Sequence, residues 1–127
     1  MKTKSLTASI LLILALLAPL GGRTAVAAEM AYDRQLLRLA EVLGSLHYLR
    51  PLCGEKDGQW RERMEALLDA EKPDPERRAR LVSSFNHGYS AFASVYKTCT
   101  KSAVMAIELY MKEGEQLSTG IVDRYGY

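Results

Sequence analysis

Beyond residue 33 apolar side chains recur at three- and four-residue steps in four successive stretches, and no segment alternates as a strand would. In the first stretch Leu36, Leu39, Ala40, Leu43, Leu46 and His47 share one helical face, while Arg34, Arg38, Glu41 and Ser45 fall mostly off it. This predicts a helix from about Asp33, which can cap it, to Pro51, which lacks a backbone N–H and ends it close by. A loop follows from Gly54 through Asp57-Gly58. Trp60, Met64, Leu67 and Leu68 then predict a shorter helix from about Gln59 to Glu71, closed by Pro73. Its opposite face carries Arg61, Glu62, Glu65 and Asp69, with Arg61 and Glu65 spaced to pair.

The third stretch has the clearest start: Asp74 as N-cap, Pro75 at the first helical position and Glu76 in the first turn. Its apolar face reads Leu81, Phe85, Tyr89, Phe92 and Tyr96, with Val82 and Ala93 alongside. Gly88 in the middle costs up to about 1 kcal/mol relative to alanine, so either another helix packs closely there or the helix bends; close packing is the better account. The last stretch, capped by Thr98 or Thr100, places Val104, Ile107, Met111, Gly114, Leu117 and Ile121 at helical spacing, flanked by Ala103 and Tyr110. Gly120 lies near an end expected to fray, and Arg124-Tyr125-Gly126-Tyr127 is a short tail, loose or docked. The fold class expected is all-α, a small bundle of about four helices with short connections.

The first 28 residues follow another pattern. A positive start (Lys2, Lys4) leads into an apolar run over 6–17, broken by Pro19, Gly21 and Gly22, and then into Ala25-Val26-Ala27-Ala28. This is the layout of a cleavable secretory signal peptide, with cleavage after Ala27 or Ala28. A retained membrane anchor is the alternative, but a spanning helix needs about 20 apolar residues and this run is shorter. No cysteine follows the run, which argues against lipid attachment. The expected organisation is a signal peptide over 1–28 and a single helical domain over 29–127, released into the periplasm without a stable membrane anchor.

Export changes the charge picture. Of the 17 basic residues, Lys2, Lys4 and Arg23 leave with the signal, and 14 remain against 15 acidic ones, a net charge of −1. Nothing in that balance suggests a nucleic-acid partner. Export also changes the meaning of the two cysteines. In an oxidising compartment Cys53 and Cys99 are expected to pair, the rival readings being two free buried thiols or half of a metal site. The bridge would close a loop of about 46 residues, for about 4 kcal/mol in the chain-entropy account. A zinc site would need further Cys or His ligands at short spacing, and none sits near either cysteine.

Candidate chemistry is sparse. His47 and His87 could meet as a metal or proton site, but His87 is two residues from both Phe85 and Tyr89 and so points away from that face, leaving His47 at the core edge. The cluster Phe85-Asn86-His87-Gly88-Tyr89 could line a groove, although its aromatics keep core spacing. Arg77, Arg78 and Arg80 form a basic patch where acidic lipid, glycan or a protein partner could bind, although such a run is usually a solvated face and Glu71, Asp74 and Glu76 nearby offset it. The carboxylates Glu62, Glu65, Asp69 and Glu71 lie on what reads as the exposed side of the second helix, not across a cleft as glycoside hydrolysis requires. No hydrolase, zincin or phosphate-loop motif occurs. No catalytic, cofactor or metal residue is therefore assigned. The residues proposed for a ligand or partner surface are His47, Arg50, Trp60, Asn86, His87 and Tyr89.

One resemblance covers nearly all of the expected mature chain. Asp33-Arg34, Leu36, Arg38-Leu39-Ala40-Glu41, Leu43-Gly44, His47-Tyr48-Leu49-Arg50, Leu52-Cys53-Gly54, Trp60-Arg61, Met64, Leu67-Leu68, Phe85-Asn86, Gly88-Tyr89, Cys99-Thr100 and Arg124-Tyr125 resemble an uncharacterised family of small exported helical proteins of alphaproteobacteria. The resemblance implies a Gram-negative periplasmic setting and carries over no catalytic residue. Two functions are then expected in order: a non-enzymatic periplasmic accessory or interaction protein whose partner is another envelope protein, and, second, a small-ligand or metal-binding bundle.

Overall fold

The computed structural model describes residues 21–126. The positive start and the apolar run of the expected signal peptide fall within residues 1–20, outside the described residues. Among the described residues there are four helices: α1 over Gly21–Leu52, α2 over Gln59–Glu71, α3 over Pro75–Ala93 and α4 over Lys101–Tyr125. The described residues are otherwise turns and loops, so the all-α expectation and the count of four hold.

The bundle is organised around α1. Leu36, Leu39, Ala40, Val42, Leu43, Leu46 and Leu49 are all buried, so α1 is apolar around most of its circumference, as a helix enclosed by neighbours must be. It packs against each of the other three helices, which touch one another far less. Trp60, Met64 and Leu68 anchor α2, Leu81 and Phe85 anchor α3, and Ala103, Ile107 and Ile121 anchor α4.

The closest approach is between α1 and α3. A Cβ on Gly88 would overlap the Glu41 carbonyl oxygen, and a Cβ on Gly44 would overlap the Phe85 carbonyl oxygen. Gly88 thus permits contact rather than a bend, as its position predicts, and Gly44 serves the same crossing from the other side. The buried Ser45 hydroxyl donates to the Glu41 carbonyl at 2.9 Å and so is satisfied within α1.

Helix boundaries follow local chemistry. The Asp74 carboxylate accepts the Arg77 backbone N–H at 2.8 Å, with Pro75 in the first turn. Of the two threonines, it is Thr100 that caps α4, accepting the Ala103 N–H at 3.1 Å. Lys72, in the left-handed conformation, closes α2 by donating its N–H to the Leu68 carbonyl at 3.0 Å.

Several sequence expectations need correction. Helix α1 does not start near Asp33: it already includes Gly21, the first described residue, and Gly22 lies inside it. Two glycines lower helix propensity by about 1 kcal/mol each without forbidding it, and Ala25, Ala27, Ala28, Glu29 and Met30 carry the helix back from its packed part. Residues 22–30 are exposed, and cover begins at Ala31, so this extension stands clear of the bundle. Asp33 caps nothing and pairs instead with Arg77 at 2.8 Å. Pro51 lies within the last turn, where its missing donor removes one hydrogen bond and Cys53 N–H still reaches the Leu49 carbonyl at 3.1 Å. Helix α3 stops at Ala93, leaving Tyr96 in the following turn with its N–H on the Phe92 carbonyl at 2.9 Å. Helix α4 does not fray at Gly120 but runs to Tyr125, whose ring docks edge-on against Tyr32 at 4.7 Å. Val104 and Met111 lie outside the core, 42% and 39% exposed, because the face of α4 turned to the core is the one through Ala103, Ile107 and Ile121.

Cys53 and Cys99 form a disulfide with Cα atoms 5.0 Å apart, tying the end of α1 to the corner between α3 and α4. Other links cross between elements. Arg77 bridges Asp33 of α1 and Glu71 of α2, and the Tyr32 hydroxyl also donates to Glu71. Glu71 was expected on an exposed face; its side chain is 5% exposed, because the helix end turns it inward onto Arg77. Arg38 joins α1 to α4 through two hydrogen bonds to Glu113 at 2.6 and 2.8 Å, and these hold the Glu113 carboxyl below its ordinary pKa. No helix of the described residues is long and apolar enough to cross a membrane.

Candidate functional site

Because α2 and α3 each pack on α1 rather than on each other, a cleft opens between them. It has a volume of about 440 Å³. Helix α1 contributes His47 to it, α2 contributes Arg61, Met64, Glu65 and Leu68, and α3 contributes Arg78, Val82, Phe85, Asn86 and Tyr89. The residues follow from helical spacing. Met64 and Leu68 are one turn apart, and so are Arg78–Val82, Val82–Asn86 and Phe85–Tyr89, so each wall presents an apolar inner row and a polar rim.

The His47 ring lies 5.5 Å from both the Phe85 and the Tyr89 rings. Tyr89 is steadied by the edge-on ring of Tyr48 at 5.3 Å, and the Tyr48 hydroxyl donates to the Tyr96 carbonyl. Tyr89 nevertheless remains 39% exposed, an aromatic surface open to solvent at the cleft. Nδ1 of His47 is buried without a hydrogen-bond partner. Burial lowers the His47 pKa below 6.5, and the positive charge of Arg61 lowers it further. The imidazole is therefore neutral near pH 7 and offers one donor and one acceptor.

At the rim Arg61 meets Glu65 at 3.5 Å. Arg78 is exposed and makes no ion pair with a described residue. The basic patch read from the sequence thus divides into three roles. Arg77 is structural, Arg80 pairs with Glu76 at 3.1 Å on the surface, and Arg78 faces the cleft unpaired.

Of the six residues proposed for a ligand or partner surface, His47, Asn86 and Tyr89 come together here. The other three do not. Trp60 is 3% exposed and borders the groove between α2 and α4 rather than this cleft, and its indole N–H donates to Glu55 at 2.6 Å. Arg50 also pairs with Glu55, so both residues hold the loop after α1 in place. His87 has its side chain 72% exposed, 3.9 Å from Glu41, and does not line the cleft. Arg78 stands out in the sequence only as part of a basic patch, and Arg61 and Glu65 only as an exposed helical pair; that the three share one cleft rim depends on the two walls being set side by side.

A second groove, about 530 Å³, lies between α2 and α4 over Leu39, Leu43 and Leu46. Arg63 covers part of it by stacking over Trp60 at 5.0 Å. Among the described residues no group of three or more His, Cys, Asp or Glu side chains is placed to hold a metal ion.

Comparison with known proteins gives one result. No curated protein matches the chain, and no solved structure matches it either. A match to a family covers residues 31–125, which begin where the bundle starts to cover α1 and end with the docked Tyr125. The chain belongs to that family, described as a protein of unknown function (DUF2385).

Proposed function

We propose that this chain is a non-enzymatic binding protein of the cell envelope, exported through its N-terminal segment to the periplasm, where it acts by holding another envelope protein. The observation that carries the reading is the cleft between α2 and α3. Side chains from three helices converge there, and an aromatic surface and an unpaired guanidinium are left open. Pockets of 300–1,000 Å³ with an apolar floor and a few polar groups are the usual form of binding sites. The Cys53–Cys99 bridge supports the compartment, because such bonds persist where the surroundings are oxidising. The alphaproteobacterial setting rests on the sequence resemblance. Binding of a small ligand in the same cleft is the second reading, favoured by its size.

The test compares the protein with an Asn86→Ala/Tyr89→Ala variant as baits in envelope extract from the native cell. One protein enriched on the wild-type chain and reduced at least fivefold on the variant is the expected result. Equal enrichment on both, or no enriched protein on either, would contradict the reading.

A further inference from the structure

The cleft has a charge character that narrows what it holds. Its floor is apolar and aromatic, built by Phe85, Tyr89 and Met64 around the His47 ring. Its rim carries two guanidiniums against one carboxylate, and that carboxylate, Glu65, is already taken by Arg61. Arg78 is left with its charge unmatched by any described residue. The part-buried arginines are satisfied within the bundle, Arg38 by Glu113, Arg50 by Glu55 and Arg77 by Asp33 and Glu71, whereas Arg78, like the exposed Arg34, makes no ion pair with a described residue; what distinguishes Arg78 is its place on the cleft rim. The Asn86 amide adds neutral hydrogen-bonding capacity to the same space. An apolar floor beneath a net positive rim is complementary to an apolar side chain flanked by carboxylates.

We propose that the cleft receives an acidic segment of the protein partner, one apolar side chain resting on the Phe85–Tyr89–His47 floor while a carboxylate beside it pairs with Arg78 at the rim. The inference rests on the binding reading above and adds the chemistry of the occupant. Arg78 accepts the carboxylate in a two-pronged hydrogen-bonded pair, for which a guanidinium is shaped. Arg61, shared with Glu65, supplies a second and weaker attraction. The Asn86 amide donates to or accepts from the backbone of the incoming segment.

The probe is a pentapeptide capped at both ends, one leucine between two pairs of glutamates, titrated into isotope-labelled protein and followed by NMR. The same peptide with glutamines in place of glutamates is the control. The acidic peptide should move the signals of Asn86, Tyr89 and the His47 ring and saturate at least fivefold more tightly than the glutamine peptide. Arg78→Gln should bring the acidic peptide down to the level of the control, whereas Arg34→Gln, an exposed arginine that does not line the cleft, should leave the difference intact. Equal binding of the two peptides, shifts confined to α4, or no shift at all would overturn the proposal. Saturation of the cleft by 3-phenylpropionate with no response to the acidic peptide would also overturn it, in favour of a small carboxylate. A partner captured through Asn86 and Tyr89 alongside a failed titration would leave the binding reading standing and remove only this one.

Discussion

At the scale of single residues the α1–α3 crossing is decided by two glycines. Each faces a backbone carbonyl oxygen, and backbone cannot swing aside as a flexible side chain would. Gly44→Ala and Gly88→Ala should each lower stability by about 2 kcal/mol or more, since overpacking outweighs the gain of up to about 1 kcal/mol in helix propensity. Gly120→Ala in α4 meets open space and should raise stability by up to about 1 kcal/mol. Urea denaturation of the three variants checks both signs, and a stabilised Gly88→Ala chain would contradict the crossing. Only one of the two tight glycines was readable from sequence. Gly88 stands out because it interrupts a strong helical pattern, whereas Gly44 sits between Leu43 and Ser45 where the partner that crowds it, the Phe85 carbonyl, is 41 residues away in the chain.

His47 gives a second expectation at this scale. Its pKa is lowered on folding, chiefly by burial and then by Arg61, so below its ordinary value of 6.5 the unfolded chain binds a proton that the folded chain refuses. Stability therefore falls as the pH drops through that value. Between pH 7.5 and 5.5 the urea midpoint should decline, and His47→Gln should show a smaller decline. Glu113, lowered by its hydrogen bonds to Arg38, contributes stability that is lost only below about pH 4.5 and so does not enter this window. An unchanged pH profile in His47→Gln would show that the imidazole is not buried as described.

At the scale of elements, capping chemistry made the later helices legible and left the first one misjudged. Asp74-Pro75 and Thr100 mark their helix starts with side chains that hydrogen-bond the first turn, a local signal that tertiary packing has no reason to override. Asp33 carries the same residue type but lies within α1, because nothing between Gly22 and Pro51 stops a helix and its carboxylate is claimed by Arg77. The end of α3 was missed for the opposite reason. Phe92 and Tyr96 keep helical spacing through a turn that leaves the helix, with their rings stacked at 6.1 Å. The Cys53–Cys99 bridge, read from the compartment, ties the end of α1 to the corner between α3 and α4, the two helices that pack most on α1. Cys53→Ser/Cys99→Ser should cost about 4 kcal/mol in the chain-entropy account, and less if the unfolded chain keeps residual structure. Denaturation of the oxidised protein and the double variant measures it. A difference below about 1 kcal/mol would mean that the cross-link constrains little that the bundle does not already hold.

At the scale of the whole molecule the main feature is a central helix with three others leaning on it and few contacts among them. That arrangement leaves grooves on both sides of α2, and sequence alone could not show either, because each is bounded by helices distant in the chain. His47, Asn86 and Tyr89 were recognisable as unusual residues near apolar faces, but their meeting with Arg61 and Arg78 depends on how α2 and α3 splay from α1. The reading of the protein as a binding module stands on that splay. Its most direct test is in-cell photo-crosslinking with the reactive residue placed singly at Asn86, at Glu65 and, as a distant control, at the exposed Leu109 of α4. The account predicts one and the same adduct from Asn86 and Glu65 and none from Leu109. Adducts from Leu109 alone, or no adduct from either cleft position, would contradict it.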